Sequence, residues 1–437
     1  MPDCNATTLH FAPFKRRQIE AEFSGGDVSS DGGVLLLRQL ERRLGLLERA
    51  AAVLSDPRDP ERITHSVTDM LKQRVFGLCL GYEDLNDHGE LRRDVLLQTA
   101  VERDTPLASA PTLCRLENRA SRAVAWALHK VIIERFIASF REAPAELVLD
   151  FDATDDPVHG RQEGRFFHGY YDHYCFLPLY VFCGEQLLVS YLRPSKIDGA
   201  KHAWAILALL VKRLRQAWPL VKIILRADSG FCRQRLLAWC QRHAVGYVVG
   251  LAKNRRLNDM TELARKRLAA QFEATQLKQR ECTEFHYAAG TWDQPRRVIA
   301  RLEYGDQGDN PRYIVTNLDG DAAPLYDALY CARGEMENRI KEAQLGLFAD
   351  RTSCHYFLAN QFRLLLASLA YILMERLRNL ALAGTEFARL QTSTLRVKLL
   401  KIGAVILRNT RRVRVLLSSA YPYQPIYAHA LRVLDSA

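Results

Sequence analysis

The spacing of apolar residues divides the chain into a helical first part, a mixed central part and a helical last part. From Asp31 to about Ala143, apolar residues recur every three or four positions, as on one face of a helix. From Leu147 onward, short apolar runs bounded by turn residues replace that spacing, which is typical of buried strands. Helical spacing returns at Leu325. The pattern therefore predicts a mixed α/β protein with helical regions before and after the sheet.

The central part predicts three strands, a helix, a strand, a helix and a strand. These elements are predicted at Leu147–Asp152, Tyr174–Cys183, Gln186–Leu192, Gly199–Trp218, Val221–Leu225, Arg233–His243 and Val245–Leu251. Between residues 253 and 321, a charged helix and further strands interrupt this order, which we interpret as an inserted β-rich subdomain. Helices, including Phe357–Leu382 and Leu395–Leu407, follow it.

Acidic residues at two predicted strand ends could carry chemistry. Asp152 ends the first strand and Asp228 follows the fourth, at the rim of a sheet where the ligand sites of α/β folds collect. Asp150 and Asp152 share one face of their strand, so either could bind a metal ion. Carboxylates brought together repel one another unless a cation lies between them, and Mg²⁺ or Mn²⁺ suits such ligands. A lone Asp at this position more often caps a turn, so a third acid is needed for the inference.

That third acid is predicted on a helix. Tyr330, Arg333 and Glu337 lie at positions i, i+3 and i+7, on one helical face that Lys341 extends by a turn. A carboxylate beside an arginine and a lysine could bind a metal ion and phosphate oxygens, whereas the alternative is a solvated ion pair. Glu335 points elsewhere on the helix, and the choice between Glu335 and Glu337 stays open.

Composition favours a polyanionic partner. The formal net charge is +11 and the sequence pI is about 9.2, which suits nucleic acid. The content of 48% hydrophobic and 25% charged residues excludes a disordered chain. We expect neither a membrane span, since Leu364–Met374 is too short, nor a secretory signal. The ten cysteines form no CxxC pair and are expected to be reduced thiols in a cytoplasm.

The order of two strand acids and one helix acid, with the residues around them, resembles the DDE transposases with a ribonuclease H-like fold. The resemblance is greatest to the bacterial insertion sequence 1380-type transposases, of DDE domain group 1, and it covers nearly the whole chain. It is carried by Ser30–Leu37, Gly81–His88, Thr112–Asn118, Asp150–Pro178, Arg226–Phe231 and Tyr330–Lys341.

The resemblance implies that Asp152, Asp228 and Glu337 are the catalytic, metal-binding acids, with Asp150 a further candidate ligand. It implies Mg²⁺ as the cofactor, with Mn²⁺ able to substitute. It also implies double-stranded DNA as the partner, both terminal inverted repeats and target DNA, with a homodimer or larger assembly on it and no membrane. The expected location is the bacterial cytoplasm, associated with the nucleoid. Where the wider clan has a lysine, seven residues after the Glu, this chain has Gln344.

Nine residues are candidates for DNA contact. They are Tyr330, Arg333, Lys341, Trp292, Arg296, Arg297, Lys253, Arg411 and Arg412. In related transposases an aromatic residue of the insertion stacks on a flipped base, and Trp292 is the candidate for that role. The alternative is that Trp292 packs a hairpin. The N-terminal helices are expected to read the DNA ends, because helices commonly enter the major groove.

We therefore expect a ribonuclease H-like α/β core with a β-rich insertion, flanked by all-helical N-terminal and C-terminal regions. The expected domains are a DNA-end-binding helical region at 1–144, the core at 145–252, the insertion at 253–323, the continued core at 324–384 and a basic helical region at 385–437. Two alternatives are a ribonuclease H-like nuclease without strand transfer and a catalytically inactive, transposase-derived DNA-binding protein.

Overall fold

The computed structural model describes residues 8–436, which form two compact units. The first unit comprises the residues up to Arg119, Leu345–Arg351 and the residues from Leu369 on. The second comprises Ala120–Gln344 and Thr352–Ser368. All three candidate acids therefore belong to the second unit.

Along the described residues, seven α-helices precede the central strands, and helices and strands then follow in mixed order. The helices are α1 (Val34–Leu44), α2 (Leu46–Ala52), α3 (Val67–Leu80), α4 (His88–Leu91), α5 (Val95–Val101), α6 (Ala110–Asn118), α7 (Arg122–Ile137), α8 (Ala203–Ala217), α9 (Gln234–Arg242), α10 (Arg255–Met260), α11 (Glu262–Thr275), α12 (Ala322–Pro324), α13 (Gly334–Lys341), α14 (Phe357–Arg376), α15 (Thr392–Leu395) and α16 (Gln424–Asp435). The strands are β1 (Leu9–Phe14), β2 (Arg17–Ala21), β3 (Asp27–Ser29), β4 (Glu146–Ala153), β5 (Asp156–Pro157), β6 (Phe166–His168), β7 (His173–Phe176), β8 (Leu179–Cys183), β9 (Gln186–Tyr191), β10 (Lys222–Ala227), β11 (Gly246–Leu251), β12 (Gln279–Tyr287), β13 (Arg296–Gly305), β14 (Gly308–Asp309), β15 (Arg312–Thr316), β16 (Ala404–Asn409) and β17 (Arg412–Leu417).

A nine-stranded sheet forms the centre of the second unit. Eight of its strands follow the order β12-β13-β15-β11-β10-β4-β8-β9, and β14 pairs with β13. β4, β10 and β11 are parallel, whereas the strands outside them pair antiparallel. The predicted succession of three strands, helix, strand, helix and strand is present as β4, β8, β9, α8, β10, α9 and β11.

Apolar side chains cover both faces of this sheet. Leu149 and Phe151 of β4 belong to a large core cluster that also contains Leu207 of α8 and Leu237 of α9. The alternate positions contribute to a second cluster, in which Tyr326 packs beside the central strands. Burying one such side chain stabilises the fold by about 1.5–3 kcal/mol, so the packing on both faces of the sheet fixes the positions of the strand ends.

Two predicted features of the central part are corrected. The predicted strand Tyr174–Cys183 is two strands, β7 and β8, separated at Pro178, which has no backbone N–H for a ladder. The strands of the predicted insertion, 253–323, do not form a separate sheet. β15 pairs with β11 and β13 pairs with β15, so they extend the central sheet because their apolar faces are buried with it.

The flanking regions are not all-helical. At the N-terminal end β1 pairs with β2, and β3 pairs with β16. The predicted helix Leu395–Leu407 ends after a π-helical turn at Arg396–Leu400, and β16 and β17 follow as a hairpin. Alternating branched residues in this segment and pairing with a strand distant in sequence favour the extended form over the helix.

The predicted helix Phe357–Leu382 is present as α14 followed by a π-helical turn. By length and composition, Phe357–Ala381 could cross a membrane, but 89% of its apolar window is buried inside the protein.

Candidate active site

Asp152 and Asp228 lie side by side at the carboxyl ends of neighbouring parallel strands. Phe151 of β4 stands opposite Ala227 of β10, so the next residues, Asp152 and Asp228, are neighbours; Asp152 still pairs with Tyr180 of β8, whereas Asp228 lies just beyond β10. Strands lie about 4.8 Å apart, which brings the two carboxylates into electrostatic contact. Asp228 also caps a 3₁₀ turn, since its Oδ1 accepts a hydrogen bond from the Gly230 backbone N–H at 2.9 Å.

Arg333 links the third acid, Glu337, to Asp152. Arg333 Nη1 lies 3.4 Å from Asp152 Oδ2, and Arg333 Nη2 donates to Glu337 Oε1 at 2.6 Å. Arg333 ends a 3₁₀ turn, Cys331–Arg333, between a π-helical turn at Leu325–Tyr330 and α13. Irregular turns of this kind inside helices are frequent at functional sites. The helical segment thus delivers Arg333 and Glu337 to the strand ends.

Burial and crowding oppose ionisation of Asp152. The pKa of Asp152 is raised to about 7, chiefly by burial and also by the charges of Asp228 and Glu337, whereas Arg333 acts to lower it. Burial alone lowers the pKa of Arg333, but the carboxylates of Asp152, Glu337 and Asp228 outweigh it and raise that pKa. Two carboxylates thus contact one guanidinium while a third, Asp228, follows the neighbouring strand, so the acids of the site outnumber its central arginine.

The donor set fits a divalent metal ion. Carboxylate oxygens are the ligands that Mg²⁺ and Mn²⁺ prefer, and a cation would relieve the crowding around Asp152. Among residues 8–436, no three His, Cys, Asp or Glu side chains are already grouped closely enough to hold a metal ion. Arg333 stands between Asp152 and Glu337 instead.

A basic pocket opens beside Glu337. It measures ≈ 480 Å³. Its lining includes Lys253, Arg301, Arg312, Tyr313, Tyr326, Tyr330, Arg333 and Glu337. Arg312 and Lys253 are exposed, and neither forms an ion pair within the described chain. A phosphate group entering this pocket would therefore meet unneutralised positive charge.

The expectation that Asp150 binds metal is corrected. Its two oxygens accept from Nε and Nη2 of Arg226, directly opposite on β10, and the carboxylate is buried. Arg226 also donates to the Leu329 carbonyl at 2.6 Å. Both oxygens are used in this buried pair, whereas Asp152, two residues on, reaches the site.

The DNA-binding role predicted for Arg296 is also corrected, whereas those of Trp292 and Arg297 stay predictions, because both are only partly buried. Arg296 is buried and donates to Asp293, Gln241 and a backbone carbonyl, with its guanidinium 5.2 Å from the Trp292 ring centroid. Trp292 is half-buried and packs edge-on against Tyr287. Arg297 pairs with Glu284 and donates to two carbonyls. These residues hold the end of a hairpin together, which was the alternative interpretation of Trp292.

The remaining candidates are divided between the two units. Tyr330, Arg333 and Lys253 line the basic pocket, and Lys341 is exposed at the end of α13. Arg411 and Arg412 are exposed on the hairpin of β16 and β17, in the first unit. Gln344, at the position of the clan's lysine, donates to the Asp155 carbonyl at 3.0 Å.

Arg301 and Arg312 were missed in the sequence. They stand opposite each other on β13 and β15. Arg301 lies 4.8 Å from the Tyr326 ring centroid and 3.9 Å from Asp327. In the sequence, each of these two residues is visible only as an arginine within or beside an apolar run. Nothing local tied it to the acids, because the strand order of the sheet brings β15 beside β11.

Comparison with known families assigns the chain. A family model for the transposase DDE domain group 1 matches residues 11–437. The chain belongs to that family. It is therefore a transposase of the DDE type, whose members cleave and move DNA with divalent metal ions.

Two further comparisons were made. A search of curated proteins returns no match. Among solved structures the chain is similar to the cryo-EM structure of a piggyBac transposase synaptic complex with hairpin DNA, at a TM-score of 0.41 and 10% identity, over 85% of this chain and 79% of that chain.

Proposed function

We propose that this transposase cleaves the ends of an insertion sequence and joins the freed 3′-hydroxyl to target DNA, using Asp152, Asp228 and Glu337. The observation that carries the proposal is that Arg333 joins Asp152 to Glu337, while Asp228 follows the neighbouring parallel strand beside Asp152. Both steps are phosphoryl transfers, so one site can serve both.

The core is proposed to be ribonuclease H-like. The order β9-β8-β4-β10-β11 supports this, with three parallel strands followed by two antiparallel ones on one side. Its acids lie where we expected the catalytic acids of such a core, at the ends of β4 and β10. The assignment to the insertion sequence 1380 type rests on the sequence motifs alone.

Asp152, Asp228 and Glu337 would hold the divalent metal ions. When bound, such ions lower the pKa of an attacking water or hydroxyl and stabilise the leaving oxygen of a phosphodiester. The oxygen ligands and the excess negative charge of the site support this assignment.

The basic residues of the site are proposed to orient the DNA. Arg333 and Lys253 line the pocket beside Glu337, where their donors face a phosphate group. The Tyr330 hydroxyl lies over Gly250, next to the turn that Asp228 caps. Burial raises the pKa of Tyr330, so it stays protonated and donates a hydrogen bond. Two DNA ends must be held together, so a dimer on DNA is proposed.

The test is cleavage and strand transfer on DNA that carries the element's own ends, with Mg²⁺ or Mn²⁺. We expect Asp152→Ala, Asp228→Ala and Glu337→Gln each to lower both activities by at least a thousandfold, because each removes a ligand of the reacting centre. DNA binding, measured in EDTA, should persist in all three variants.

Two other acids of the second unit serve as controls. Glu335→Gln changes an acid that pairs with Arg339 instead, and Asp259→Asn changes an exposed acid of α10. Both should keep near-wild-type activity. Loss of activity in Glu335→Gln but not in Glu337→Gln would assign the third acid to Glu335. Wild-type DNA binding without cleavage in either metal would show an inactive descendant, and cleavage without joining would show a nuclease.

A further inference from the structure

The hairpin of β16 and β17 projects beyond the sheet that anchors it. β3 pairs only with the base of β16, where Ala404 stands opposite Ser29 and Ile406 opposite Asp27. The outer half, from Leu407 to Arg414, is a ribbon of two strands. Ala404 and Ile406 are buried, which fixes the base in the first unit and holds up a hairpin that alone would be marginally stable.

The two faces of this ribbon differ. Directly opposed residues share a face, so Leu407 lies beside Arg414 and Asn409 beside Arg412 on the outer face. All four are exposed. Arg408 points to the inner face, where it donates to Gln98 at 3.5 Å. The outer face therefore presents two arginines and an apolar side chain together.

The arginines of the ribbon are not neutralised by the protein. Within residues 8–436, no carboxylate lies within 4.0 Å of Arg411, Arg412 or Arg414, whereas most arginines around the catalytic site are paired. The Asn409 side chain accepts from the backbone N–H groups of Arg411 and Arg412, at 3.0 and 2.9 Å. The turn is thus held by its own asparagine, and the three guanidinium groups remain available to a polyanion.

The dimensions suit double-stranded DNA. The outer half has three residues in each strand, which span about 10 Å at about 3.3 Å per residue. A two-stranded ribbon fits the B-DNA major groove, which is about 12 Å wide, and arginine is the commonest specific partner of guanine there. A thymine methyl group is a suitable contact for an apolar side chain such as Leu407.

We propose that this ribbon enters the major groove of the transposon-end DNA, with Arg412 and Arg414 facing base edges and Arg411 at the tip contacting a phosphate. The inference rests on the proposed function and names the element that reads the ends. It places that reading on a β-ribbon of the C-terminal region, instead of on the N-terminal helices favoured by the sequence.

The test measures affinity of the full-length protein for two duplexes by fluorescence anisotropy in EDTA. One duplex carries the element's terminal repeat and the other a shuffled sequence of equal composition. Arg412→Lys with Arg414→Lys keeps the charge but loses the bidentate donors. We expect this double variant to keep its affinity for the shuffled duplex. The ratio of its affinities for the terminal repeat and the shuffled duplex should fall at least tenfold. Arg411→Gln should weaken both duplexes equally and lower the salt slope by about 1.

A matched control changes two exposed arginines of the N-terminal helical part, Arg93→Lys with Arg115→Lys. It should discriminate as the wild type does. The inference is overturned if the ribbon variant, with a wild-type melting temperature, still prefers the terminal repeat, or if the control variant loses that preference instead.

Failure of the inference differs from failure of the proposed function. A wild-type protein that binds both duplexes equally contradicts end recognition as a whole. A discriminating wild type with an equally discriminating ribbon variant contradicts the ribbon alone, and leaves the cleavage assays on the three acids unaffected.

Discussion

Asp152 is held in a position that disfavours its charge. It is largely buried at the end of β4, beside two other acids, and burial raises its pKa to about 7. Such a carboxylate can bind a cation, but in the metal-free protein its ionisation lowers the free energy of unfolding. Asp150, two residues earlier on the same strand face, is also buried, which raises its pKa, but both of its oxygens are taken by Arg226.

Asp152→Asn should stabilise the metal-free protein, and more so at high pH. The folded pKa lies above the unfolded value of 3.8, so the contribution of Asp152 to stability is fully present below pH 3.8 and is lost as pH rises through about 7. Chemical denaturation in EDTA should show a gain on the order of 2–4 kcal/mol at pH 8 and a smaller gain at pH 5. Equal gains at both pH values would contradict the raised pKa. Asp259→Asn, at an exposed site, is the control and should change neither.

Arg333 competes with a metal ion for the same carboxylates. Its guanidinium contacts Asp152 and Glu337, so removing its charge leaves both oxygens to the cation. We expect Arg333→Gln to bind Mn²⁺ about tenfold more tightly in the absence of DNA, a gain of about 1.4 kcal/mol, while losing activity. Paramagnetic resonance of free Mn²⁺ measures this directly. Arg339→Gln, on the same helix, should leave Mn²⁺ affinity unchanged, and unchanged or weaker binding in Arg333→Gln would refute the competition.

At the scale of elements, the site depends on a close approach between β11 and the irregular helical segment. A Cβ atom at Gly250 would lie 2.7 Å from the Tyr330 hydroxyl and 2.7 Å from the Ser229 backbone nitrogen. Only glycine leaves room for the tyrosine and for the turn that follows Asp228. The sheet and the helix are thereby brought within contact at the site.

Gly250→Ala should therefore displace Tyr330 and the Asp228 turn. Overpacking of this kind costs about 1–3 kcal/mol, and we expect cleavage activity to fall by more than tenfold at temperatures where the variant is fully folded. Gly305→Ala is the matched control on the same sheet, because its added Cβ would lie 3.5 Å from the nearest side chain. Thermal melts alongside cleavage rates separate the two effects. Full activity in the Gly250 variant would show that this close approach is not needed.

At the scale of the whole molecule, two units share the chain and each carries part of the positive charge. The second unit combines the acids with the basic pocket, and the first carries the exposed arginines of the β16–β17 ribbon. The net charge of +11 is thus not spread evenly over solvated helix faces. The arginines at 296 and 297 are used within the fold, whereas those at 411, 412 and 414 remain exposed without an acidic partner among the described residues.

The sequence by itself determined the mixed α/β class, the succession of core elements and the family motifs. Alternation and apolar runs report local burial, so β4, β10 and β11 were located within a few residues. The placement of Asp152, Asp228 and Glu337 as the catalytic acids remains a prediction; Arg333 contacts Asp152 and Glu337, and Asp228 follows the strand beside Asp152.

Only the tertiary structure decided which charged residues are available. Asp150 and Asp152 look alike in sequence, and the register of β4 with β10 alone pairs the first with Arg226. Arg296 is buried, and Gln241 of α9, distant in sequence, accepts a hydrogen bond from it. The segment Ala404–Asn409 forms the strand β16 instead of the predicted helix because it pairs with β3, which lies far away in the chain. Local pattern cannot reveal such partners, since burial and pairing depend on residues that only folding brings together.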